Sequence, residues 1–135
     1  MHPTSALDHG KSAMTLLEMT VVILVLFSLV SILFIGARAW KAGSDRAACI
    51  VQIRTVQQGV RSYASTKNIT PGTTVNGLSA LIIGTGKFVE KNPVCPGGGT
   101  YTFTTANVIP TIGALYMACS LSASDGHEPD NIADW

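Results

Sequence analysis

Residues 12–37 read SAMTLLEMTVVILVLFSLVSILFIGA. Polar residues precede this stretch, and its one acid, Glu18, sits close to its start. From Met19 to Ala37 there are nineteen residues without a charge. As a helix they would span about 28 Å, close to the hydrocarbon thickness of a bilayer. A core helix of a soluble protein normally shows a polar face. Here Val, Ile, Leu and Phe cover every face, and Ser28 and Ser31 are the only hydroxyls after Thr20. The stretch therefore reads as a membrane-inserted helix. A cleaved secretory signal, with Ala37–Arg38–Ala39 as its small-x-small site, is one competing reading. A plain signal anchor is another.

Outward from this helix, the remaining chain has room for one small domain. The whole chain has 135 residues and a formal net charge of +1. Six basic residues and one acid lie between Arg38 and Lys67, and four acids without a base between Asp125 and Asp134. That polarity is too mild to argue for nucleic acid. The three cysteines are Cys49, just past the apolar stretch, and the distal Cys95 and Cys119. One pair plus one single fits an exported domain with one disulfide better than a metal cage.

The helical pattern continues beyond the apolar stretch. No proline occurs between Arg38 and Lys67, and Cys49, Ile53, Val56, Val60 and Tyr63 recur as one stripe of helical period. Arg54, Gln57, Gln58, Arg61 and Ser62 fall largely off it. Gly43 and Gly59 are read as points of gentle bending. The helix is expected to end near Lys67–Asn68, because Pro71–Gly72 forbids much more. From Thr15 to Lys67 it would be about 80 Å long. Asn76 is expected to cap a short helix over residues 77–83 that buries Leu78, Leu81 and Ile82. Residues 100–104 alternate in the manner of a strand, a second strand is best placed near 115–119, and the run Cys95–Pro96–Gly97–Gly98–Gly99 reads as a tight turn before them. Cys95 and Cys119 would then lie at or near the two strands. A bridge between them closes a loop of about twenty-five residues and contributes very roughly 2–4 kcal/mol. Cys49 is read as a buried thiol, with pairing to Cys95 or Cys119 as the alternative.

The sequence Lys11–Ser12–Ala13–Met14–Thr15–Leu16–Leu17–Glu18 resembles the processing site of type IV prepilins and type II secretion pseudopilins. In that family a short polar leader is cut before an apolar residue, and Glu is the fifth residue of the mature chain. Ala13 holds the last leader position, where the family usually has Gly. Met14 becomes the new N-terminus, and Thr15, Leu16 and Glu18 match the family's Thr-Leu and Glu. Cys95, Pro96, Gly98, Gly99, Tyr101, Cys119, Ser120 and His127 resemble the distal motif of one pseudopilin subgroup. The resemblance thus runs from Ala13 to about His127.

The resemblance implies a pilin-like α+β fold. Residues 1–13 form a leader, 14–37 the membrane and filament-core half of a long helix, 38–68 its amphipathic half, and 69–135 a small head with a short helix and a small antiparallel hairpin. It implies cleavage after Ala13 by a prepilin peptidase and N-methylation of Met14. Glu18 would pair with the N-terminal amine of a neighbouring copy in a helical filament, with Thr15 and Leu16 part of the same assembly segment. An isolated carboxylate at the edge of a lipid-spanning helix needs a partner, which agrees. The other implied partners are an assembly ATPase, inner-membrane platform proteins and minor pseudopilins. The implied location is the bacterial inner membrane, single-pass, with the head in the periplasm.

The expected function is a structural subunit of a type II secretion pseudopilus. A type IV or competence pilin is the alternative within the family, and an unprocessed single-pass anchored binding protein the alternative outside it. Some major pseudopilins hold calcium in the distal loop, so Asp125, His127, Glu128 and Asp130 form a candidate calcium set. Their spacing matches no calcium loop, and a solvated tail without a cofactor is the expectation. No nucleophile–base–orienter set is present, which points away from an enzyme.

Overall fold

The computed structural model describes residues 15–135. Five elements follow in order: α1 (Leu16–Lys67), α2 (Leu78–Ile82), β1 (Tyr101–Phe103), β2 (Met117–Cys119) and α3 (Ser122–Asp125). The fold is a long, apolar N-terminal helix with a small α+β head. The chain divides into two compact units, one up to Arg38 and one from Ala39 to Trp135.

In the first unit every described residue is exposed. The large apolar side chains from Leu16 to Ile35 are each between 47% and 83% exposed. The hydroxyls inside the apolar tract turn back onto the helix. Ser28 Oγ donates to the Val25 carbonyl at 2.8 Å, Ser31 Oγ to the Phe27 carbonyl at 2.8 Å, and Thr20 Oγ1 to the Leu17 carbonyl at 2.9 Å. Their polarity is met within the helix, so the surface stays apolar. Among the described residues this is the one helix long and apolar enough to cross a membrane. It is compatible with a single-pass anchor or a signal.

In the second unit α1 supplies one wall of the core. Cys49, Ile53, Val56, Val60 and Ala64 are buried and pack with Leu78, Ile82, Val89, Cys95, Ile109, Tyr116, Met117 and Cys119. The helical stripe read from the sequence is thus the packing face, with Tyr63 half-buried at its edge. The helix ends where expected. Asn68 takes a left-handed φ of 52°, the Ile69 N–H reaches the Ala64 carbonyl at 2.8 Å, and the Asn68 N–H reaches Ser65 at 3.2 Å. This pair of bonds is the Schellman ending, which satisfies carbonyls the helix would leave open. Gly59 serves close approach, not bending. A Cβ there would lie 2.8 Å from Val89 Cγ2 and 3.1 Å from Ile82 Cγ2.

The hairpin is antiparallel, with Tyr101 opposite Cys119, Thr102 opposite Ala118 and Phe103 opposite Met117. Its strands are shorter than the alternating sequence suggests. Two details of the head differ from the sequence reading. Gly77, at φ 69°, occupies the N-cap of α2 without a side-chain cap, so Asn76 is not the cap. The Gly77 N–H is met instead by Asn107 Oδ1 at 3.1 Å. Leu81 is exposed, since a helix of five residues buries only the positions one turn apart, Leu78 and Ile82.

Candidate functional site

Among the described residues two places carry chemistry, one in each unit. The first is the start of α1. Ala13 and Met14, the expected cleavage and methylation positions, lie outside the described residues. Thr15 and Glu18 form a capping box. Glu18 Oε2 accepts from the Thr15 N–H at 3.1 Å and from Thr15 Oγ1 at 3.2 Å, and Thr15 Oγ1 accepts from the Glu18 N–H at 3.3 Å. Each side chain meets a backbone donor that the helix start leaves open, and the acid lies at the positive end of the helix dipole. Leu16 follows as the first helical residue and is exposed.

The second place is inside the head. The Sγ atoms of Cys49, Cys95 and Cys119 and a ring nitrogen of His127 lie within 4.8 Å of one another, all four residues buried. They come from α1, from the loop before β1, from the end of β2 and from the segment after α3. The expected Cys95–Cys119 bridge is not formed. Both are free thiols with sulfurs 3.7 Å apart, far beyond the ~2.05 Å of a disulfide. The physical reason is that Cys95 answers to more than one partner: its Sγ is also 3.4 Å from His127 Nδ1. Cys49 is buried, as expected of it, but is packed with both other thiols.

The surroundings aim donors at these sulfurs. Tyr101 Oη donates to Cys49 Sγ at 3.2 Å. Burial pushes the Cys49 thiol up to about 12, against the opposing Tyr101 hydrogen bond. Burial also acts to raise Cys95. The N–H groups of Gly99 and Gly97, with His127 and Cys119, outweigh it and bring that thiol down to about 7. Burial, followed by the contact with Cys49, raises the Tyr101 hydroxyl.

The glycine run explains itself here. A Cβ on Gly97 would lie 2.7 Å from His127 Cε1, and one on Gly99 would lie 2.8 Å from Cys119 Sγ. Gly98 turns the chain with φ 83°. Two of the three glycines thus make room for the cluster, and the third makes the turn.

Gln52 steadies the approach to Cys95. Its Nε2 donates to the Val94 carbonyl and its Oε1 accepts from the Val94 N–H, both at 2.8 Å. Gln57 holds the approach to β2 in a similar way. Its Nε2 donates to the Ala114 carbonyl at 2.9 Å and its Oε1 accepts from the Tyr116 N–H at 2.9 Å. Two helix amides thereby stand in for neighbouring strands.

The candidate calcium set is not assembled. Asp125, Glu128 and Asp130 are exposed, while His127 turns inward to the cysteines. Asp130 instead pairs with Arg46 at 3.2 Å, and Asp125 accepts from Ser124 at 2.8 Å. The segment is anchored through the buried His127, while its three acids stay exposed to solvent. No protein-family model matches the chain, no curated protein is detectably similar in sequence, and no solved structure matches it.

Proposed function

We propose that this chain is a membrane-anchored structural subunit of a pilus-like filament, of the type II secretion pseudopilin class. One observation carries the reading: the apolar half of α1 is exposed on every side, with no partner among the described residues. Such a surface must be covered. Lipid covers it in the precursor, and the same helices of other copies cover it in the filament. The resemblance at Ala13–Glu18 supplies the processing step. A prepilin peptidase removes residues 1–13 and methylates Met14, leaving Glu18 in the first turn of the mature helix. An assembly ATPase and inner-membrane platform proteins drive extrusion, with minor pseudopilins alongside and the head on the periplasmic side. The small head, with strands of three residues, favours a secretion-type subunit over a surface or competence pilin.

A second reading has its own support. The capping box satisfies Glu18 inside a single chain, which an unprocessed anchor would need and a filament would not. Such a protein keeps its leader and does not polymerise. Intact-mass measurement of the chain extracted from membranes that contain the peptidase separates the two. Loss of residues 1–13 with one added methyl group is the expected result. A mass that includes the leader overturns the filament reading in favour of the plain anchor.

A further inference from the structure

We propose that Cys49, Cys95, Cys119 and His127 form a structural zinc site that ties the head of this protein to α1. The proposal does not depend on how the apolar half of the helix is used.

The distances exclude a bridge and match the edges of a zinc tetrahedron, and the convergence of four ligating atoms goes beyond plain packing of two thiols. A tetrahedral zinc with bonds of ~2.3 Å to sulfur and ~2.0–2.1 Å to nitrogen has ligand edges of about 3.8 Å between sulfurs and about 3.6 Å between sulfur and nitrogen. The observed Cys95–Cys119 edge is 3.7 Å, and the Cys95–His127 Nδ1 edge is 3.4 Å. All four ligand atoms lie within 4.8 Å of one another. The set therefore closes onto one centre with only small adjustments. Three soft sulfurs and one imidazole in a closed, buried shell select zinc over calcium or magnesium, which require oxygen donors.

The second layer has the form a thiolate centre requires. Tyr101 Oη and the backbone N–H groups of Gly97 and Gly99 point at sulfurs. Donors of this kind stabilise charge on thiolates and orient them. No carboxylate belongs to the cluster. His127 offers Nδ1 to the centre, while a groove lined by Gly43, Arg46, Gly97, Leu121 and His127 opens beside it and provides a way in. Zinc binding replaces the protons of three thiols, so three protons leave per zinc and the centre carries one net negative charge. Nothing is oxidised or reduced.

The role follows from where the ligands originate. A two-stranded hairpin with three-residue strands cannot hold itself together. One ion would join α1, the loop before β1, the end of β2 and the chain after α3. Metal binding and folding of the head are then one event.

The test uses the full chain, extracted in detergent with a reductant and without chelator. Elemental analysis should find one zinc per chain. Exchange for cobalt(II) should give thiolate-to-metal charge transfer in the near ultraviolet, with the intense visible bands of tetrahedral geometry. Cys119→Ser should retain at least tenfold less metal. Tyr101→Phe, which removes only the donor to Cys49 Sγ, should weaken zinc by about tenfold while leaving the cobalt spectrum tetrahedral. Should Cys119→Ser not fold, the unmodified chain still decides. A zinc chelator should abolish its near-ultraviolet circular dichroism, and zinc but not calcium should restore it. The proposal is overturned if the reduced chain takes up no zinc and gives no tetrahedral cobalt spectrum. It is equally overturned if the chain isolated from its native membrane is metal-free and carries a Cys95–Cys119 disulfide.

Discussion

Glu18→Ala should abolish filament formation while leaving membrane insertion intact. Two roles for the carboxylate have to be separated. One is the capping box with Thr15, which the structure shows. Losing a cap costs about 1 kcal/mol and frays the first turn. The other is the proposed pair with the amine of a neighbouring Met14. Breaking a desolvated ion pair costs about 3–5 kcal/mol, because the surviving charge stays buried. At ~1.4 kcal/mol per factor of ten, that is more than a hundredfold in association. Glu18→Gln distinguishes the roles, since an amide can still close a capping box but carries no charge. Sheared-filament yield should fall nearly as far for Gln as for Ala. Wild-type yield from Glu18→Gln would leave capping as the whole role of this residue.

Gln57→Leu should bring the head close to unfolding. The side chain is only 3% exposed and satisfies two backbone groups, the Ala114 carbonyl and the Tyr116 N–H. Leucine fits the volume but offers neither donor nor acceptor. Each buried group left unpaired costs about 1–3 kcal/mol, so the pair costs roughly 2–6 kcal/mol. A small domain has about 5–15 kcal/mol in all, so the loss is a large share. Gln58→Leu, one position along and exposed, should stay within about 0.5 kcal/mol of the parent. Urea titration followed by Trp135 fluorescence reads both variants. Trp135 reports on the head because it packs at the edge of the core, with Arg54 over its ring at 5.4 Å. Equal midpoints for the two variants would show that the Gln57 amide is dispensable.

Period and composition made the long helix and its buried stripe legible, because Cys49, Ile53, Val56 and Val60 repeat on one face with no proline to interrupt them. The first strand of the hairpin was legible from alternation, though not the trimming of both strands to three residues. Gln57 was misjudged by polarity. It lies four residues after Ile53 and three before Val60, so helical geometry already placed it beside the stripe. The capping box was present in plain spacing, as Thr15 followed three residues later by Glu18. The cysteine cluster was the hardest to see. Its ligands come from four separate segments, with no short metal motif to mark them. The available signals were the count, three cysteines and a distal histidine, and the glycines packed around Cys95. Those glycines read as a turn, but two of them are small because ligands press against them.

In the proposed filament, Glu18 of one copy meets the N-terminal amine of another. Zero-length carbodiimide coupling of assembled filaments, followed by mass spectrometry of the linked peptides, measures that contact directly. The expected product is a ladder of covalent oligomers joined through an amide between Glu18 and the amine of Met14. Filaments that yield no such linked peptide would overturn the filament proposal.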